Sequence, residues 1–494
     1  MTRGKLTYEK VLFYLLWLLL IMSLGQTIYV LLFSGNIIFD DVEHLRAAYF
    51  VSLGDVPYRD FFEHHHPLLW YILAPVISFL PHNTIMAIRI GRFISLSVSL
   101  IGGYFIYKTE KKFIGGTLGA LFCLVFYFWG VNAISAAGLC YIKPDIYQRC
   151  CFFVGLYYLF CYFRYKKFRD LQICALLFTA AFLFLQTTLF YVAPLAIPVC
   201  YFLYKNPQKW LDLAKAAVLP LVILAVCIAV LWKLNLLTRY FETNWLLNRI
   251  YLLIWGEYNH PVRKILHHLS DILLITSCSL AYLIYKKKFN IFYLALISML
   301  VCEFLSRLLL VTPFRHYYTW LIIYTSMVSA PFLVKASLKY KNVTALFAAG
   351  WLLHAYGNIT YLNQGEYRAV QKYIPYTHGE TIFSQFFERR PSYYWMYPFT
   401  ESIDDVLFEY VNDYSLEKIY KQNNSQYILY PPKPNEDYEA IRKVLKLTPQ
   451  KEKILLRHVL NHQCINDFLN KNYKEIEFNI YQRKDTLPAT EETR

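Results

Sequence analysis

Residues 36–69 read NIIFDDVEHLRAAYFVSLGDVPYRDFFEHHHPLL, an acidic and histidine-rich insert between two strongly apolar regions. Asp40 and Asp41 are adjacent, Glu43 and Glu63 follow, and His64-His65-His66 form an unbroken run. Carboxylates and imidazoles are costly near hydrocarbon, so their concentration just beyond an apolar span marks a functional site in a membrane protein.

Working outward, the composition agrees. The chain has 494 residues, 57% of them hydrophobic, with a mean hydropathy of +0.31. Soluble domains rarely reach that balance. The 44 Tyr and 37 Phe suit a chain with many rings at membrane interfaces. A net charge of +16 raises nucleic acid as a partner, but the cations sit in short clusters between apolar runs. Lys108-Lys111-Lys112, Arg164-Lys166-Lys167-Arg169, Lys205-Lys209, Lys286-Lys287-Lys288 and Lys335-Lys339-Lys341 follow the positive-inside pattern of a polytopic protein. Nucleic-acid binding is set aside. Of eleven cysteines, ten lie in or beside apolar runs, which argues against a disulfide framework and fits small core residues. The first apolar run follows Arg3 and Lys5 and reads as a retained signal anchor.

A spanning helix needs about 20 apolar residues. Runs of suitable length occupy roughly 11–34, 84–107, 112–130, 146–163, 170–187, 188–204, 213–233, 264–285, 289–311, 316–334 and 341–361. The run 68–80 is shorter, carries Pro75 and ends at Pro81. Reading it as interfacial keeps every basic cluster on one side, so the charge pattern predicts about eleven spans with the N-terminus in the cytoplasm. The expected fold is mainly α: a transmembrane bundle over 1–361 and a small extracytoplasmic α/β domain over 362–494. In the latter, 382–384, 426–430 and 476–481 read as strands, and 436–446 and 453–469 as helices. The segment 35–67, the loop 131–145 and the loop 234–263 then share the extracytoplasmic side. A bacterial inner (plasma) membrane fits this layout.

Each polar feature has a plain alternative. Asp40 and Asp41 suit a helix N-cap and first turn, with Gly54 and Pro57 as the breakers that end it. Capping accounts for each carboxylate singly, but not for Asp40-Asp41, Glu63 and Asp145 on one predicted face. His64-His65-His66 beside Glu63 suit zinc or manganese in chemistry, although neighbouring side chains diverge and rarely all bind one ion. His260, Arg263, Lys264, Arg315 and His316 can snorkel at an interface. Basic groups on the outward side also suit an anionic ligand, and arginine pairs bidentately with phosphate. No phosphate-binding loop, dinucleotide fingerprint or nucleophile elbow occurs, so no nucleotide cofactor is expected.

The order of these motifs resembles the GT-C glycosyltransferases, in the branch of the protein O-mannosyltransferases and lipid A aminoarabinose transferases. FDDVEHLRAAYFVSLGDVPYRDFFEHHHPLLWYIL is similar to their acidic first-loop signature. YIKPDIYQRCCFF resembles the segment with their second acid, and LQTTLFYVAPLAI, NHPVRKILHHL and PFRHYY look like later family segments in the same order. FERRPSYYWMYPFTES resembles a segment of their soluble C-terminal domain. The resemblance implies transfer of a sugar from a polyprenyl-phosphate donor to an acceptor hydroxyl on the extracytoplasmic face, with inversion. Asp40 becomes the candidate base, Asp41 its support, and Asp145 the second acid. Arg263, Lys264, Arg315 and His64 would meet the donor phosphate, and Glu63 and His260 a divalent metal. The family's usual Asp-Glu pair is Asp-Asp here, which leaves the choice between Asp40 and Asp41 open. The acceptor is a lipid, a glycan or a protein. The alternative is a transporter or flippase of lipid-linked glycans, which would carry its charges near the bilayer midplane rather than in loops.

Overall fold

A computed structural model describes residues 7–33, 39–80, 84–134, 138–249, 274–286, 289–309 and 318–342. It also describes short pieces at 344–345, 349, 427–429, 463, 466–477 and 480–486. The protein is mainly α-helical and polytopic. In chain order come α1 (Tyr8–Phe33), α2 (Phe39–Ser52), α3 (Leu68–Ile77), α4 (Thr84–Phe113), α5 (Gly116–Ile134), α6 (Pro144–Tyr165) and α7 (Phe168–Phe184). There follow α8 (Thr188–Val192), α9 (Ala196–Lys205), α10 (Trp210–Lys233), α11 (Leu237–Phe241), α12 (Leu274–Tyr285), α13 (Ile291–Leu309) and α14 (Tyr318–Lys339).

Among the described residues, five stretches are helical, long and apolar enough to cross a membrane: Tyr8–Tyr29, Met86–Phe113, Thr188–Lys205, Pro207–Lys233 and Tyr318–Lys339. Helices α5, α6, α7, α12 and α13 occupy five further expected spans but are shorter or more polar. Most of the expected 341–361 span lies outside the described residues. The ten-residue α3 packs on α2 and touches α7, as suits a helix too short to cross.

The main core joins α1, α4, α5, α6, α13 and α14. Trp320 is its aromatic centre, stacked on Tyr191 at 3.9 Å and on Phe153 at 5.6 Å. Close helix approach relies on small residues, as in other membrane bundles. A Cβ on Gly102 of α4 would lie 3.4 Å from the Cys150 Cα of α6. A second, smaller core of Phe50, Phe61, Trp70, Leu73, Ile142 and Tyr147 ties α2 and α3 to the starts of α4 and α6.

These contacts give the bundle two chemically distinct ends. The starts of α4 and α6 and the end of α7 meet α2 and the 53–67 loop. At the opposite end Lys112 donates to Tyr157, Lys166 to Asn206 and Lys209 to Asp212, and Lys341 lies over Tyr8.

In the C-terminal segment, β1 (Tyr427–Leu429), β2 (Tyr473–Glu477) and β3 (Ile480–Arg483) form an antiparallel sheet in the order β1-β3-β2. β1 falls on the expected 426–430 strand. The single strand expected over 476–481 is instead divided between the end of β2 and the start of β3, which pair antiparallel with a bulge between Glu475 and Glu477. Residues 466–472 continue the helix expected over 453–469. The expected strand 382–384 and helix 436–446 lie outside the described residues.

One buried ion pair organises the acidic end. Asp41, in the first turn of α2, accepts from Arg92 Nε at 2.8 Å and Nη2 at 2.6 Å, and from the Ile142 N–H at 2.7 Å. Both charged side chains are fully buried. Removing one partner of such a pair leaves a charge stranded in a low dielectric. Arg92→Leu should therefore cost about 3–5 kcal/mol, seen as a lowered thermal midpoint of the purified protein in detergent. The double variant D41N/R92L should regain part of that loss; an unchanged midpoint for R92L would count against the role given to the pair.

Candidate active site

The site is built on the turn that follows α2. Gly54, with φ +90°, takes the left-handed conformation that ends the helix, as its position beyond Ser52 suggests. Tyr58 also has positive φ, +68°, unusual for a bulky side chain. Its N–H donates to Phe61 O at 3.2 Å and its hydroxyl to His65 O, so it ties the loop to itself. Asp60 accepts from the Val56 N–H at 2.7 Å. The loop then runs without regular structure through 62–66, and its histidines go to three places.

His65 turns towards α2. Its Nδ1 lies 3.0 Å from Glu63 Oε1 and 3.3 Å from Glu43 Oε1. His64 Nδ1 is 3.4 Å and 3.7 Å from the same two oxygens, and its ring stacks on Phe62. His66 faces away, with Nδ1 donating to Phe182 O of α7 at 2.8 Å. Its Nε2 therefore accepts from the Tyr240 hydroxyl of α11 at 2.9 Å. Asn248 adds a bond to His64 O at 2.9 Å. It follows a π-helical turn, Glu242–Leu247, a geometry often found near functional sites.

Glu43, His44, Glu63 and His65 form the metal-capable cluster among the described residues, with one donor atom from each within 4.8 Å of the others. Two carboxylates and imidazole fit zinc or manganese. His44 Nδ1 accepts from Trp70 Nε1 at 3.3 Å, which leaves its proton on Nε2. Glu43, Glu63 and His65 are thus the donors offered without rearrangement. Two carboxylate oxygens converging on one imidazole nitrogen require positive charge between them, a proton or a cation. Without a metal it is a proton: burial opposes it, but the bonds to Glu43 and Glu63 raise His65 to about 10. Burial likewise works against Glu63, yet its contacts with His64 and His65 hold it far below the usual carboxylate range.

Asp40, beside Asp41 in the first turn of α2, is about one-third exposed and forms an ion pair with Lys143, the residue before α6. Burial disfavours the Lys143 charge, but Asp40, Asp145 and Glu43 surround it and raise its pKa. Asp145 lies in the first turn of α6 and is half-buried. Asp40 and Asp145 thus border one lysine, while Asp41 is committed to Arg92. His64 is buried against two carboxylates. His260, Arg263, Lys264 and Arg315 lie outside the described residues.

Residues 64–232, from the histidine run to the end of α10, match the family described as dolichyl-phosphate-mannose-protein mannosyltransferase. The match supports a membrane glycosyltransferase of the GT-C type. No curated protein matches the chain. Within this site, Lys143 and Glu43 carry no assigned role in the sequence, and His65 stands there only as one of three adjacent histidines. Lys143 could have been found from the Lys-Pro-Asp order, which puts a cation beside the acid that starts α6. Glu43 lies two residues from Asp41 and three from Asp40, on a helix whose polar positions all read as a solvated first turn.

The His66 bonds predict a pH dependence. Burial lowers its pKa to about 4 from 6.5, although Phe182 O favours the charged form. The unfolded chain therefore binds the extra proton first, and the stability contributed by neutral His66 is complete above about pH 6.5 and lost as pH falls towards 4. The difference in thermal midpoint between the protein and H66Q should shrink over that window; a difference independent of pH would contradict the assignment.

Proposed function

We propose that this protein moves a sugar from a polyprenyl-phosphate donor to an acceptor hydroxyl at the end of the bundle where α2 meets α6, with inversion at the anomeric carbon. The observation that carries the reading is the grouping of Asp40 and Asp145 around Lys143, in a chain whose helices match a dolichyl-phosphate-sugar-dependent family. Among the described residues, the basic clusters of Lys112, Lys166, Lys209 and Lys341 gather at the other end of the bundle. The positive-inside pattern therefore favours a cytoplasmic lysine end and an extracytoplasmic site, in a bacterial inner (plasma) membrane. Its loop-borne charges disfavour the transporter or flippase alternative.

The chemistry follows from the groups present. The acceptor hydroxyl must lose a proton as its oxygen attacks the anomeric carbon, and the bond to the donor phosphate breaks on the opposite face. Asp40 suits the base because it retains exposure and its lysine partner can turn to another anion. Asp41 does not, since both its oxygens are engaged by Arg92 and Ile142. Lys143 suits charge compensation of the leaving phosphate, an effect enhanced at the edge of hydrocarbon. Asp145 orients Lys143 or the acceptor. Glu43, Glu63 and His65 would hold a divalent metal, which when bound would supply a fixed positive charge.

Two outcomes test the reading. With a panel of polyprenyl-phosphate sugars, release of free polyprenyl phosphate should fall roughly 10²–10⁴-fold in Asp40→Asn, with insertion and thermal midpoint retained. Near-full activity in D40N would remove Asp40 from the chemistry. Metal analysis of the purified protein should find a bound divalent transition metal that the double variant E43Q/E63Q lacks; equal metal content in both would assign the cluster to a protonated His65 instead.

A further inference from the structure

The lysine end carries an arrangement that the transfer reaction does not use. Lys108 and Lys112 are four residues apart on one face of α4, a spacing at which like charges destabilise a helix. Both lie against the same ring of α6. Lys108 Nζ is 5.0 Å from the Tyr157 ring centre and Lys112 Nζ 5.3 Å from it. Lys112 also donates to the Tyr157 hydroxyl at 3.3 Å and lies over Tyr165 at 4.8 Å. Lys108 lies over Tyr104 at 5.3 Å and Phe105 at 5.4 Å.

Lys108 is half-buried and Lys112 exposed, so the rings attract their charges without cancelling them. Among the described residues, neither lysine forms an ion pair with a carboxylate, and neither do Arg164, Lys166, Lys167 or Arg169 in the adjoining α6–α7 turn. Asp170 is near enough to bear on Cys161, yet makes no ion pair with Lys112. A cation near a helix C-terminus, or one snorkelling from the bilayer, is ordinary singly. Two of them converging on one ring, with four more cations beside them, call for an anion. The surface next to them is apolar and open: Ile101 and Tyr104 on α4 are 50% and 55% exposed, and Tyr165 is 46% exposed. An anion there would be continuous with a hydrocarbon-covered flank.

We propose that the α4–α6 seam binds the headgroup phosphate of an anionic phospholipid, between Lys108 and Lys112 and capped by Tyr165, with its acyl chains along Ile101 and Tyr104. Basic pockets between spanning helices hold anionic lipid in this way. The site does not depend on the glycosyl-transfer reading.

The test is retention of phosphatidylglycerol by the detergent-purified full chain, titrated and read by native mass spectrometry against phosphatidylcholine. The protein should hold phosphatidylglycerol preferentially. K108Q/K112Q should weaken that binding roughly tenfold, and K108R/K112R should keep it. The single variants K108Q and K112Q each carry part of the loss, so the test survives misfolding of the double. Lys335 and Lys339 are a control, being also four apart but over separate rings, Tyr282 and Tyr340; K335Q/K339Q should bind as the unaltered protein does. Equal binding by K108Q/K112Q would overturn the proposal. So would an equal loss in K335Q/K339Q, which would make the effect one of diffuse charge, or complete displacement by inorganic phosphate at equal concentration, which would make the ligand a free anion.

Discussion

The Asp41–Arg92 pair is the constraint on which the acidic end depends. Three chain segments far apart in sequence, the start of α2, the third turn of α4 and the stretch of chain before α6, share one carboxylate. Fully buried ions repay their desolvation only with near-ideal geometry and further hydrogen bonds. Asp41 meets that condition with two guanidinium contacts and a backbone N–H. Because Ile142 is fixed in this way, the next residue, Lys143, is set opposite Asp40, and Asp145 follows at the start of α6. The buried aspartate is therefore a positioning group for the exposed one. Adjacent identical residues have opposite roles because successive positions on a helix point about 100° apart.

That division was not legible in the sequence. Asp40 and Asp41 read alike there, and nothing local to either says which will be buried. The decision lies with Arg92, a residue inside an apolar run that itself reads as a span. What was legible came from period and length: the apolar runs, the short 68–80 segment, the end of α2 at Gly54, and the acidic start of α6. These depend on local rules of hydropathy and backbone freedom. The metal-capable cluster was half legible, since Glu63 beside three histidines draws attention by composition, but Glu43 and His44 join it only through the fold of α2 against the loop. The C-terminal sheet shows the same boundary. The apolar alternation near 476–481 marks extended chain, but the register is decided by pairing among β1, β2 and β3 and by the bulge at Glu475–Glu477.

The histidine run shows how irregular backbone creates function from a repetitive sequence. In a helix, three adjacent histidines would fan around the axis; here an irregular course with a bend at His65 sends neighbours to different places. His65 enters the carboxylate pair, His64 lies between that pair and Phe62, and His66 crosses to α7 and α11. One short segment thus provides both the polar cluster and its attachment to the rest of the bundle. The attachment is neutral at His66, because a second positive charge so near His65 in a buried setting would be repelled. Burial and the His65 charge both lower its affinity for a proton.

The two ends of the bundle solve opposite electrostatic problems with different materials. At the acidic end, among the described residues, Asp41 is held by Arg92, Asp40 by Lys143, and Glu43 and Glu63 by His65. At the lysine end, cations outnumber acids, and aromatic faces take the place of counter-ions. Tyrosine suits this because its ring accepts the ammonium while its hydroxyl accepts a hydrogen bond, as Tyr157 does for Lys112. An acid-rich end with fixed geometry can act on a charged headgroup one bond at a time. A lysine end cushioned on rings can instead exchange one anionic neighbour for another without rearranging its helices. The asymmetry expected to orient the chain across a membrane is therefore the same asymmetry that divides the proposed site for chemistry from the proposed surface for lipid.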